Sequence, residues 1–126
     1  SANPGEPTKP LSSVASGGEI SRIMLAIKTV FQDIDPVQTL VFDEIDSGIS
    51  GKAAEKVSMH LLHLAQKKQI ICITHLSQIA NQADHHLHIK KYVNGNKTFV
   101  NMEYLNDNES SKIIQELFIG TETVKA

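Results

Sequence analysis

Thr39-Leu40-Val41-Phe42-Asp43-Glu44-Ile45-Asp46-Ser47-Gly48 is the stretch on which the fold turns. A wholly apolar run breaks off into two adjacent acids. Such a run suits a parallel strand covered on both faces, with its polar residues at the carboxyl end. Gly48 and Gly51 mark a loop. A helical pattern then places Ala54, Val57, Leu61, Leu62 and Ala65 on one face. Ile70-Ile71-Cys72-Ile73 is a second buried-strand run, and it ends in Thr74-His75. Strand, helix, strand in this order is a crossover unit, so the sheet is expected to be parallel and the class α/β.

Upstream, Ser16-Gly17-Gly18-Glu19 opens a helical pattern. Ile20, Ile23, Met24, Ile27, Val30, Phe31 and Ile34 recur there at three- and four-residue steps, predicting one apolar face. Ser16 and Glu19 have the capping-box spacing, and Pro36 stops the helix. The proline-rich residues 1–11 read as an extended lead-in. Downstream, Leu87, Ile89 and Val93 alternate with polar residues, as do Val100, Met102 and Tyr104, with Asn94-Gly95 between them. This pattern predicts an antiparallel hairpin at the sheet edge. Asp107 or Asn108 can cap a last helix carrying Ile113, Ile114, Leu117 and Phe118, closed by Gly120.

The chain has 126 residues, enough for a single domain over 1–126 and its core. A net charge of −2 argues against a surface that grips nucleic acid by itself, because such domains are usually clearly basic. The lone cysteine, Cys72, excludes an internal disulfide framework and fits a reducing cytosol. No apolar run approaches the roughly 18 residues of a membrane span, so no membrane partner is expected and the location reads as cytoplasmic.

Three clusters carry chemistry. Ligands of open α/β sheets bind beyond the carboxyl ends of the strands. Asp43 there is suited to hold Mg²⁺ through water, and Glu44 to orient and polarise a water attacking a phosphoryl group. Two acids that merely end a strand are the plain alternative. Ser16-Gly17-Gly18 offers close backbone approach and helix N–H groups to a phosphate, although an ordinary capped helix start is the commoner case. His75, at the end of the second strand, is placed to donate to a terminal phosphate oxygen; a lone histidine after a strand is more often structural.

The order of these features resembles the ABC ATPase superfamily: Ser16-Gly-Gly-Glu19 opening a helix, then Asp43-Glu44, a glycine-containing loop and Ile73-Thr74-His75. Glu19, where transporters have glutamine, together with Asn3-Pro-Gly-Glu-Pro7, Asp43-Glu-Ile-Asp-Ser-Gly-Ile-Ser-Gly51 and Thr74-His-Leu-Ser-Gln-Ile-Ala80, is similar to the SMC-like chromosome-maintenance and DNA-repair branch. The resemblance runs from Asn3 to about Gly120. It implies the C-terminal lobe of a P-loop NTPase head from a bacterial protein of DNA double-strand-break repair and recombination. That role carries with it DNA damage, the SOS response and association with the nucleoid when acting.

At matching positions it implies ATP and Mg²⁺ as cofactors, with Asp43 supporting the metal, Glu44 catalytic and His75 sensing the γ-phosphate. Asp46, Ser47 and Gly48 would form a D-loop facing a second head. Ser16, Gly17, Gly18 and Glu19 would form the signature motif serving that partner's ATP. The implied partners are an N-terminal Walker A lobe of the same protein, a second head in a homodimer, and DNA through parts outside these residues. The chain departs from the family in lacking a G-x-x-x-x-G-K-[ST] cradle, so by itself it is expected neither to bind ATP well nor to hydrolyse it. The alternatives are the head of another SMC-type ATPase and a non-catalytic dimerisation module of the same fold.

Asp84-His85-His86-x-His88 lacks a completing cysteine and reads as a solvated edge strand. His60 and His63 lack a third ligand and read as surface. Lys67-Lys68 and Lys90-Lys91 are too sparse for a DNA track.

Overall fold

The computed structural model of the protein describes Gly5, Pro7, Thr8, Pro10 and residues 15–122, with side chains as far as Ile119. The rest of the expected lead-in over 1–11 lies outside the described residues. The chain divides into two compact units, Ser1–Thr74 and His75–Ala126.

The first unit contains helix α1 (Gly17–Val30), strand β1 (Thr39–Phe42), helix α2 (Gly51–Ala65) and strand β2 (Gln69–Cys72). β1 and β2 pair in parallel, from Thr39 opposite Gln69 to Phe42 opposite Cys72, as expected for a crossover. The ladder continues one step each way, Gln69 N donating to Gln38 O and Ile73 N to Phe42 O. Its core is Leu25, Phe42, Ile45, Ala54, Leu61 and Leu64, with Ile45 and Leu64 fully enclosed. One buried cation belongs to this core. Lys68, just before β2, donates from Nζ to Asp35 O at 2.5 Å and Val37 O at 2.7 Å, tying that strand to the chain entering β1. Its charge is satisfied by carbonyl dipoles, as burial requires.

Three expectations are corrected here. The residues α1 buries are Gly18 and Leu25, while Ile20, Ile23, Met24, Ile27, Val30, Phe31 and Ile34 remain exposed among the described residues. Two turns of helix thus face the unit through Gly18, Ser21, Arg22 and Leu25, where close approach and polar contacts decide the packing. Val41 and Ile71 are likewise exposed, so the parallel pair is covered on one face rather than two. On α2 the buried positions are Ala54, Ser58, Leu61 and Leu64, not Leu62 or Ala65. The helix is rotated so that its narrower stripe meets the sheet.

The second unit contains a short helix α3 (Ser77–Ala80), strands β3 (Leu87–Asn94) and β4 (Lys97–Tyr104), and helix α4 (Asp107–Glu122). β3 and β4 form a two-stranded antiparallel sheet of their own rather than the edge of the parallel one. Asn94 pairs with Lys97, so the turn is Gly95-Asn96. Positive φ falls on Gly95 alone (+61°), the Gly-X pattern of a type II′ hairpin rather than an Asn-Gly turn. Tyr92 and Phe99, directly opposite, stack with ring centroids 5.5 Å apart. α4 is capped by Asn106, not Asp107 or Asn108. Asn106 Oδ1 accepts from Glu109 N at 3.0 Å, and Asn106 N donates to Glu109 Oε2 at 2.9 Å. The helix runs on through Gly120 instead of ending there. Among the described residues no helix is long and apolar enough to cross a membrane.

Candidate functional site

β1 delivers Asp43 and Glu44 to its carboxyl end, and the chain turns there under constraint. Glu44 has φ +56°, the sole non-glycine residue with positive φ among those described. A left-handed conformation costs an L-residue about 1–2 kcal/mol, so neighbours must hold it. Asp43 Oδ1 accepts from Glu44 N at 2.9 Å, and Ser47 N donates to Glu44 O at 2.9 Å.

α1 secures the same turn from the side. Ser21 Oγ donates to Asp43 O at 2.8 Å. Arg22 Nη1 donates to Ile45 O at 3.0 Å and Ser47 O at 2.8 Å. The approach is close because Gly18 has no side chain: a β-carbon there would lie 2.8 Å from Glu44 O and 2.9 Å from Ser47 O. At Gly17 a β-carbon would collide with Glu44 Oε2, so the Glu44 carboxylate rests over the Gly17 α-carbon.

The start of α1 is built by its cap. Ser16 Oγ accepts from Glu19 N at 3.3 Å, and Ser16 N donates to Glu19 Oε2 at 2.8 Å. The backbone N–H of Ser16, and then its hydroxyl, hold the Glu19 carboxyl below its usual range. Glu19 is therefore drawn back onto Ser16, shaping the helix start.

Behind the turn, buried Asp46 accepts from Thr74 Oγ1 at 2.6 Å, linking the loop to the end of β2. Cys72, beside it, has its thiol pushed from 9.0 to about 12, first by desolvation and then by the charges of Asp46 and Asp43. A thiol held so firmly protonated is no nucleophile.

The first unit thus gathers Ser16, Gly17, Gly18, Glu19, Asp43, Glu44, Asp46 and Ser47. Gly48 lies in the same loop at φ +74° with open space about it. His75 opens the second unit. Asp43 and Glu44 are both exposed and offer hard carboxylate oxygens. That donor set suits Mg²⁺, which binds one or two carboxylates and takes its remaining ligands from phosphates and water.

Sequence reasoning assigned no role to Ser21 or Arg22. A signal was present: Arg22 is the single arginine in a chain whose other strong cations are all lysines. The tempting histidines have local uses. His86 Nε2 lies 2.8 Å from Ala80 O, and His88 Nδ1 lies 3.8 Å from Glu103 Oε1, beyond hydrogen-bond reach of the oxygen that accepts from Lys90 Nζ.

No protein-family model matches the chain. It is 45% identical over 122 residues to the DNA repair protein RecN of Halalkalibacterium halodurans, covering 97% of this chain and 22% of that protein. It is 55% identical over 98 residues to RecN of Treponema pallidum, covering 78% and 17%. The chain therefore spans about a fifth of the length of the curated relatives it matches. Among solved structures it is similar to an Smc head domain with coiled coil and joint from Pyrococcus yayanosii. That likeness has a TM-score of 0.59 and 25% identity, over 82% of this chain and 19% of that one. An SMC ATPase studied for ATP-driven dimerization and DNA-stimulated activation superposes with a TM-score of 0.55, over 90% of this chain and 67% of that one. At 24% identity it speaks to fold alone. Sequence and fold agree, and the chain belongs with the DNA repair proteins called RecN, as a segment with the fold of an SMC ATPase head.

Proposed function

We propose that this chain is the C-terminal lobe of the head of a RecN-type ATPase, supplying the water-activating carboxylate and a signature motif but not the phosphate cradle. The observation that carries the reading is the Asp43-Glu44 turn at the carboxyl end of β1, held in a left-handed conformation against the glycine start of α1. Strain maintained by so many contacts is the pattern of functional sites. Glu44 accepts a proton from, or orients, the attacking water. Asp43 holds Mg²⁺, which when bound would neutralise charge developing on the phosphates. Ser16, Gly17 and Gly18 present helix N–H groups to the terminal phosphate of ATP held by a second head. Asp46, Ser47 and Gly48 form the loop facing that head, and His75 contacts the terminal phosphate.

The proposed role extends to a homodimer of heads that closes on ATP and opens on hydrolysis, with DNA engaged elsewhere in the protein. It also extends to a cytoplasmic setting and to recombinational repair under DNA-damage control. The relatives are DNA repair proteins, and one structural neighbour is described as dimerizing in an ATP-driven manner. Lacking the Walker A cradle, this chain alone is inactive in this reading.

The test is ATP turnover by the full-length protein with Glu44→Gln as comparison. Turnover should fall by at least about 10²-fold while ATP binding persists. Turnover unchanged by the substitution would refute a catalytic Glu44 and favour a non-catalytic dimerisation module.

A further inference from the structure

The residues that grip the Asp43–Gly48 turn lie on α1, and one of them accounts for two of the contacts. Arg22 is half-buried, and its Nη1 donates to Ile45 O at 3.0 Å and to Ser47 O at 2.8 Å. These carbonyls flank Asp46, and that of Ile45 follows Glu44 directly. The local turn bonds, Ser47 N to Glu44 O and Ile49 N to Asp46 O, leave both carbonyls to be satisfied by another donor. A guanidinium is a permanently charged, planar donor that loses little freedom on binding, whereas a lysine ammonium is a flexible point charge. The one arginine of the chain stands where two carbonyls must be held in fixed relation.

Glu44, meanwhile, has φ +56° without the steric freedom of glycine, so its conformation depends on its surroundings. Gly18 brings α1 close enough for the grip, and Ser21 Oγ holds Asp43 O on the other side of Glu44 at 2.8 Å. Carbonyls on both sides of Glu44 are thus pinned to one helix.

We infer that Arg22 is a positioning residue for Glu44: by holding Ile45 O and Ser47 O it fixes the left-handed turn that aims the Glu44 carboxylate. The inference rests on the proposed catalytic role of Glu44. A displacement of about 1 Å at a reacting group costs as much as 10²-fold in rate, so loss of the grip acts on turnover rather than on nucleotide affinity.

The experiment uses the full-length protein with Arg22→Met, which keeps the apolar stem without donors, and Arg22→Lys, which keeps charge and donors at shorter reach. kcat, ATP affinity and thermal midpoint are measured for each, with Glu44→Gln in parallel. The expected result for Arg22→Met is a fall in kcat of about 10- to 100-fold with ATP affinity within about threefold of the parent. Arg22→Lys should recover part of kcat. In a Glu44→Gln background, adding Arg22→Met should leave the residual turnover unchanged, because Arg22 acts through Glu44.

The inference is overturned if Arg22→Met lowers the thermal midpoint but leaves kcat within about twofold. It is also overturned if the double variant loses a further factor as large as the single one. Should Arg22→Met not fold, Arg22→Lys decides the matter, since a folded lysine variant with unchanged kcat removes any need for the fork. If Glu44→Gln leaves turnover intact, the catalytic reading itself falls, whereas a Glu44-dependent enzyme indifferent to Arg22 defeats this inference alone.

Discussion

The two glycines that open α1 are adjacent, yet the structure assigns them opposite sensitivities. Replacing Gly18 with alanine places a β-carbon 2.8 Å from Glu44 O, 2.9 Å from Ser47 Cβ and 2.9 Å from Ser47 O. Each is roughly half an ångström short of the 3.4 Å at which ordinary contact begins. Two of these neighbours are backbone atoms in a turn already tied by Arg22 and Ser21, so they cannot swing aside. Overpacking of this kind costs about 1–3 kcal/mol. The gain from replacing a helical glycine offsets about 0.5–1 kcal/mol. A net loss of about 1–2 kcal/mol is expected for Gly18→Ala.

Gly17→Ala meets only Glu44 Oε2, the free end of a flexible side chain. Turning that carboxylate away costs about 0.5–1.5 kcal/mol, which the helix gain largely cancels. Stability should therefore stay within about 1 kcal/mol of the parent, while the Glu44 carboxylate is displaced. The assay is urea unfolding of this chain followed by far-UV circular dichroism, with midpoints compared at equal slope. If Gly18→Ala is as stable as the parent, or Gly17→Ala is the more damaging, then α1 does not pack against the turn as described.

Lys68→Met removes both Nζ bonds to Asp35 O and Val37 O, leaving two carbonyls short of a donor. A loss of about 1–3 kcal/mol is expected in the same unfolding assay, and a neutral result would show that the buried ammonium is dispensable. Cys72 should resist alkylation. With its thiol raised from 9.0 to about 12, the thiolate population at pH 8 is about a thousandfold below that of an ordinary cysteine. The greater nucleophilicity of the more basic thiolate offsets about twenty- to thirtyfold of this. The labelling rate should thus be at least about tenfold slower than free cysteine and rise about tenfold per pH unit to beyond pH 10. A rate equal to that of free cysteine would contradict a desolvated Cys72.

Much of this arrangement was readable from local chemistry. Thr39–Phe42 and Ile70–Cys72 are strands because unbroken apolar runs bounded by turn residues have few other uses, and the helix between them dictates parallel pairing. The capping box at Ser16 and Glu19 depends on four consecutive residues and stands as expected. Neighbourhood in the chain was less reliable where neighbours competed. Asn106 caps α4 in place of Asp107 because Glu109 stands at the reciprocal spacing from it. The hairpin turn slid one residue, to Gly95-Asn96, because strand pairing sets the register and glycine alone carries the positive φ.

The amino-acid sequence by itself determined which residues are chemically equipped for phosphoryl chemistry: an acid pair ending a strand and a serine-glycine helix start. Their order along the chain also pointed to the family. Only the tertiary structure decided that the helix start and the acid pair are in contact within one unit, with Gly17 under the Glu44 carboxylate and Gly18 against its carbonyl. It alone also decided that α1 turns Gly18, Ser21, Arg22 and Leu25 inward and leaves its isoleucines outside. The physical reason is that periodicity records that a helix has an apolar stripe, whereas what it packs against is set by contacts between residues more than twenty positions apart. A side-chain hydrogen bond to a backbone carbonyl leaves no trace in the acceptor's identity, since every residue offers the same carbonyl.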